Sequence, residues 1–321
     1  MPHLKMNHMN IVIVLLNCLF LSTATAFSCN SGESNDGKSG VVQEELFKSS
    51  ALTPEKSFTS GAEGPAVDKS GILYAVNLER EGTIGRITPD GKSTVFIALP
   101  NGSIGNGIRF DSEGSMLIAD YTNHNVLKVT MADKQLRVHA NEPRMNQPND
   151  IAIDSKNRLY ASDPAWKSGI GRIWRIDGDG KVTLLQDSMG TTNGIEVSPD
   201  EKILYVNESV QRKVWAYDLS EQGSISNKRL LIQFPDFGMD GMRSDADGNL
   251  YITRHGKGTV VKVAPDGKII REIVLLGKNP SNIAFGGVDG RTAYVTVQDK
   301  GNMETFRVDK PGREWQMQHR K

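Results

Sequence analysis

The sequence predicts an all-β protein: a six-bladed β-propeller with a metal site at its central channel. Three observations predict it. A segment of two short strands recurs six times, with Tyr74, Leu117, Tyr160, Tyr205, Tyr251 and Tyr294 as markers at intervals of 43, 43, 45, 46 and 43 residues. Tight-turn sequences such as Pro89-Asp90-Gly91, Gly178-Asp179-Gly180 and Pro265-Asp266-Gly267 separate alternating apolar stretches. One oxygen-bearing side chain stands 11 or 12 residues ahead of each marker: Glu63, Asn106, Asn149, Asn193, Asp240 and Asn282. A period in the forties with hairpin signals is that of a four-stranded propeller blade.

The chain has 321 residues, with 38 Lys and Arg against 38 Asp and Glu. That balance lacks the basic surplus of a nucleic-acid binder. Residues 1–28 read as an export signal. Lys5 precedes an apolar run, Ile11–Leu21, which is too short to span a bilayer, and small residues follow it. Two processing sites stand open. Ala24-Thr25-Ala26 fits an ordinary signal-peptidase site and a periplasmic or secreted product. Ala26-Phe27-Ser28-Cys29 fits a lipoprotein box, in which Cys29 becomes the lipidated first residue and the only membrane attachment. Residues 29–44, rich in Ser, Gly and Asn at their start, read as a flexible linker. Cys18 leaves with the signal, so no disulfide framework is expected.

Residues 45–316 are expected to form the propeller. Inner strand pairs begin at Ala66, Ile108, Ile151, Ile195, Met242 and Ile283; outer pairs follow over 83–96, 125–139, 171–185, 213–232 and 259–273. Gly in the turns accepts the positive φ that tight hairpins need. The last blade lacks a fourth strand of its own. The segment before Glu63 is expected to supply it, closing the ring with both termini. Residues 317–321 read as a basic tail. Asp68, Asp111, Asp154 and Asp245 recur at the turn after the inner strand and read as turn formers, and His124 reads as a blade turn.

The inner strand of a blade faces the channel, so its leading end lies at the channel mouth. Six equivalent positions holding only Asn, Asp or Glu therefore converge there. Asn and Asp also favour turns and cap strand ends, which is the plainer explanation for the amides. It does not explain two carboxylates, which repel near one axis unless a cation or shared proton relieves them. The direct ligands expected are Glu63, Asn149, Asn193 and Asp240, with Asn106 and Asn282 as their counterparts in the remaining blades. An all-oxygen donor set with charge −2 points to one divalent cation, Ca²⁺ first, with Mg²⁺, Mn²⁺ or Zn²⁺ as substitutes.

Several motifs fall at blade spacing in one order: Glu63-Gly64-Pro65, Pro148-Asn149-Asp150 with Asp163-Pro164, Asn193-Gly194, Tyr205-Val206-Asn207-Glu208-Ser209, and Asp240-Gly241 followed by Asp247-Gly248-Asn249-Leu250. In this the chain resembles the gluconolactonase, regucalcin and luciferin-regenerating-enzyme-like family, nearer its bacterial gluconolactonase-like branch. The resemblance implies a six-bladed propeller and one divalent metal on Glu63, Asn149, Asn193 and Asp240. It also implies lactone hydrolysis, with Asp240 as general base. Two positions depart from the family. Gln147 stands where the animal sugar-lactonase branch carries Arg, and Val67 where many members carry Trp. The substrate expected is a small-molecule lactone, with Asn149, Gln147, Asn106, Trp166 and Asp163 as binding residues. Arg144 and Met145, on the loop into Asn149, are expected to shape specificity, and His255 to take a structural or rim role. Hydrolysis of organophosphates or aryl esters on the same site, and a non-catalytic platform with structural calcium, remain the alternatives.

Overall fold

The computed structural model describes residues 44–320. The export signal, Cys29 and the linker up to Gln43 lie outside the described residues. After β1 (Ser50–Ala51), blade one is β2 (Phe58–Val67), β3 (Leu73–Leu78), β4 (Thr83–Ile87) and β5 (Ser93–Ala98). Blade two is β6 (Gly105–Phe110), β7 (Met116–Asp120), β8 (Asn125–Val129) and β9 (Leu136–Asn141). Blade three is β10 (Ile151–Ile153), β11 (Leu159–Asp163), β12 (Gly171–Ile176) and β13 (Val182–Met189). Blade four is β14 (Thr192–Val197), β15 (Ile203–Glu208), β16 (Lys213–Leu219) and β17 (Ile225–Gln233). Blade five is β18 (Met242–Ser244), β19 (Leu250–Arg254), β20 (Thr259–Val263) and β21 (Ile269–Val274). Blade six is β22 (Pro280–Gly286), β23 (Thr292–Val297) and β24 (Asn302–Arg307), and β1 pairs with β24 as its fourth strand. The ring closes with both termini, as expected.

The apolar alternation explains the packing. Strands present one apolar row to each neighbouring blade, and each of the six buried clusters bridges two adjacent blades. One cluster joins Tyr74, Val76 and Ile84 of blade one to Ile108, Phe110 and Ile118 of blade two. Full burial of a side chain such as Ile108 stabilises by roughly 1.5–3 kcal/mol. The recurrent Asp residues form turns: Asp68 Oδ1 accepts from the amides of Ser70 and Ile72 at 2.9 and 3.0 Å, and Asp111, Asp154 and Asp245 repeat the pattern. His124 sits in its turn with φ 58°.

The C-terminus departs from expectation. Met317–His319, read as the start of a basic tail, belong instead to a helix, α1 (Arg313–His319). It lies across the trailing ends of the inner strands, at the opposite end of the channel from the expected mouth. Gln318 Nε2 donates to the Val67 carbonyl at 3.1 Å, and Arg313 Nη1 to that of Ile153 at 2.9 Å. A seven-residue helix is too short to show a periodic apolar stripe.

Candidate metal centre and active site

The inner strands deliver their leading residues to one cavity of about 700 Å³. Glu63, Asn106, Asn149, Asn193 and Asp240 all line it. Small residues let the strands approach. Gly64, at φ 56°, lies so close to the neighbouring strand that a Cβ would overlap the Asn106 carbonyl. A Cβ at Gly241 would likewise overlap the Asn282 side chain. The backbone of Asp240 is fixed from three sides: its N–H donates to the Thr253 carbonyl at 3.1 Å, and its carbonyl accepts from Asn207 Nδ2 at 2.6 Å and Gly194 N at 3.2 Å.

Asn282 takes a different place. It does not line the cavity. Its Nδ2 donates to Glu63 Oε2 at 3.1 Å, and its Oδ1 accepts from the Ile283 amide at 2.9 Å. It orients Glu63 rather than facing the opening. Glu63 Oε2 also accepts from the Gly64 amide at 2.8 Å.

The donor chemistry of the ring fits a cation. Burial, reinforced by the negative charge of Asp150, pushes the Glu63 carboxyl up from 4.5 to about 7. Burial and the neighbouring Glu63 hold Asp240 well above the usual carboxylate range. Asn106 Oδ1 and Asn193 Oδ1 are buried without any hydrogen-bond partner. Asn193 donates through Nδ2 to Ser209 Oγ at 3.1 Å, and its side chain also lies beside the Asp240 carboxyl, whose ionised form it favours. Two crowded carboxylates and an orphaned Asn193 oxygen are each costly alone, and a hard divalent ion would relieve all three, while the Asn106 oxygen stays available to a bound substrate. Among the described residues no group of three or more His, Cys, Asp or Glu side chains could hold a metal, so this set depends on its amides.

Other expected residues divide. Trp166, 43% exposed, lines the cavity, as does His255, whose Nε2 lies 3.3 Å from Gln298 Oε1. Asp163 does not reach it, which corrects the expectation that it binds substrate. It is fully buried; Oδ1 accepts from the amides of Asn146 and Gln147 at 2.8 and 2.7 Å, and Oδ2 from Trp174 Nε1 at 2.9 Å. Its carboxylate anchors the loop that delivers Asn149. Gln147 is held through its backbone there and does not line the cavity. Met145 is packed in the core between blades two and three, and Arg144 pairs with Glu142 at 2.7 Å. Neither lines the opening.

Two sets of residues go beyond those expected, although Trp166 and His255, which belong to the first, were expected near the mouth. The connection between the second and third strands of every blade opens onto the same mouth. These connections bring Glu81, Tyr121, Trp166, Arg212, His255 and Gln298 to the cavity. The repeat itself carried that signal, because a strand that ends beside the leading end of the inner strand must turn at the mouth.

The second set lies deeper. Three inner strands carry a buried charge: Arg109 between Ile108 and Phe110, Glu196 between Ile195 and Val197, and Arg243 between Met242 and Ser244. All three are opposite the repeat markers. Asp150 Oδ2 accepts from Arg243 Nη1 at 2.9 Å, and its Oδ1 lies 3.5 Å from Arg109 Nη2. Glu314 of α1 pairs with Arg109 at 2.5 Å, and Arg313 lies 3.7 Å from Glu196. The channel interior beneath the ring is thus filled by a paired, buried charge network.

A cavity at the mouth of a propeller, lined by carboxylates and amides from successive blades, makes the class of this protein a β-propeller with a candidate oxygen-ligand site. Residues 61–299 match the SMP-30/Gluconolactonase/LRE-like region, and the chain belongs to that family. It is 26% identical over 275 residues to a gluconolactonase of Zymomonas mobilis, covering 74% of this chain and 76% of that one. It is 28% identical over 294 residues to diisopropyl-fluorophosphatase of Loligo vulgaris, covering 79% and 90%. The fold matches that of a calcium-binding protein, regucalcin, from Agrobacterium tumefaciens with a TM-score of 0.69 at 23% identity, covering 82% of this chain and 98% of the other.

Proposed function

We propose that the protein is a metal-dependent hydrolase that opens the ring of a lactone, with a sugar-acid lactone as its substrate class. The observation that carries the reading is the convergence of Glu63, Asp240 and the unpartnered amide oxygens of Asn106 and Asn193 in one cavity. Membership of the family and the likeness to the Zymomonas gluconolactonase support it. Glu63, Asn149, Asn193 and Asp240 would hold one divalent cation, Ca²⁺ first and Mg²⁺, Mn²⁺ or Zn²⁺ as substitutes. The bound cation supplies Lewis-acid polarisation of the ester carbonyl.

The chain's own residues do the rest. Asp240 accepts a proton from the water that adds to the carbonyl carbon. The bond from that carbon to the ring oxygen then breaks, and Asp240 returns its proton to the departing oxygen, giving the open hydroxy acid. Asn282 orients Glu63, and the three hydrogen bonds to the Asp240 main chain fix the backbone from which its carboxylate projects. Trp166 supplies a face for a ring substrate at the mouth. A panel of aldonolactones assayed by proton release, with and without chelator, tests the reading. Chelator-sensitive turnover that returns with Ca²⁺ is expected; a metal-loaded protein that turns over no lactone contradicts it.

The likeness to diisopropyl-fluorophosphatase supports a second reading, hydrolysis of phosphotriesters or aryl esters on the same residues. Phosphotriester turnover exceeding that of every lactone in the panel would establish it in place of the first.

A further inference from the structure

The cavity holds one side chain of fixed positive charge. Arg212, on the β15–β16 hairpin, is the only Lys or Arg among the residues that line it. Arginines buried in the ring and its surroundings have carboxylate partners: Arg109 with Glu314, Arg243 with Asp150, Arg254 with Asp236, whereas Arg212 is half-buried. Arg212 has no carboxylate within 4.0 Å among the described residues. Its guanidinium is tethered at the rim by one hydrogen bond, Nη1 donating to the Pro235 carbonyl at 2.9 Å. Its Nε is buried without a hydrogen-bond partner. Trp166, Val210 and Phe237 line the same cavity. A guanidinium held by one donor, with others unused, presents the planar fork that suits an oxyanion better than a hydroxyl.

We infer that Arg212 is a specificity-determining residue that receives an anionic group on the substrate, so that the preferred lactone carries an acidic substituent beside its ring ester. The inference rests on the lactonase reading and narrows its substrate class. The group recognised is an oxyanion, whether carboxylate or phosphate. The ring ester lies toward Asp240 while the acidic arm extends along the blade-four side of the mouth.

The test compares glucono-1,5-lactone with its 6-phosphate and with a glucarolactone, whose arm is a carboxylate. Each is assayed on the metal-loaded wild type, Arg212→Gln and Arg212→Lys. The wild type is expected to favour at least one charged lactone in kcat/KM by about tenfold or more, and which one identifies the oxyanion. Arg212→Gln should lower that value by about 10- to 100-fold, the size of a lost charged hydrogen bond. The neutral lactone should change by less than about threefold, and Arg212→Lys should recover part of the loss. Equal kcat/KM for neutral and charged lactones, or a Gln variant that affects all three alike, overturns the inference, because a residue that only holds Pro235 would behave so. A binding arm on the unmodified protein needs no variant: the non-hydrolysable gluconolactam and its 6-phosphate are titrated at low and high salt. Tighter, salt-sensitive binding of the phosphate form is expected, and equal affinities at both salt levels overturn the inference. If no lactone is turned over, the lactonase reading fails while the lactam titration on wild type and Arg212→Gln still decides this one.

Discussion

Glu63 and Asp240 are held where neither ionises easily. For Glu63 the sign is set by a folded pKa raised from 4.5 to about 7, chiefly by burial. Without a cation its contribution to stability is fully present below about pH 4.5 and lost as pH rises through about 7. A cation needs the ionised forms, so its affinity should weaken as pH falls below about 7, with protons released on binding. Calorimetric titrations in buffers of different ionisation enthalpy measure that release; an affinity constant from pH 5.5 to 8 would contradict it. Asp240→Asn keeps the shape but removes the charge and the base. It should weaken the cation and cut kcat by roughly 10²- to 10⁴-fold even at saturating metal. Full lactonase activity with metal bound would show that Asp240 is not the base. Asn149→Ala should weaken cation or substrate binding while leaving the base in place, which a comparison of KM with kcat will show.

At the scale of elements, two supports are as important as the ring. Asp163 ties together β11, the loop before Asn149 and the Trp174 indole. Asp163→Ala leaves these buried donors without partners, each costing about 1–3 kcal/mol. It should lower the melting temperature and weaken cation binding through the displaced Asn149, whereas an unchanged melting temperature would exclude the anchoring role. Helix α1 sends Glu314 to Arg109 and Arg243 at the base of the channel. Glu314→Gln breaks a largely buried pair by removing one partner, which costs about 3–5 kcal/mol in dry sites. The side chain is 17% exposed, so the lower end of that range is expected in denaturant unfolding. A loss below about 0.5 kcal/mol, typical of surface pairs, would mean that the helix does not seal the channel.

For the molecule as a whole, chelation is the broadest perturbation. A ligand present at about 100 times its Kd stabilises by about 2.7 kcal/mol, so saturating Ca²⁺ should raise the melting temperature of metal-free protein by roughly 5 to 10 °C. A melting temperature indifferent to Ca²⁺ and chelator would speak against any resident ion. Much of this architecture was legible in the chain. The intervals between Tyr74 and Tyr294 set the six blades, and the residues ahead of them mark the mouth. Register alone does not show which way a side chain turns, so it leaves the part played by Asn282 open, and the structure fills it with a hydrogen bond from its amide to Glu63. Asp163 was placed on the right element, but its use as an anchor depends on the Trp174 indole, which the repeat does not bring forward. Arg109, Glu196 and Arg243 stand as single charges at equivalent positions of three inner strands, a pattern the sequence reading did not use. Their partners lie in other blades and in a helix too short for its pattern to be seen, so only closure of the ring reveals the network.

Titration of metal-free protein with Ca²⁺ by calorimetry, wild type beside Asp240→Asn, tests the central claim most directly. The account predicts one site per chain in the wild type and loss of at least tenfold in affinity in the variant. Absence of a site in the wild type, or equal affinity in both, would contradict it.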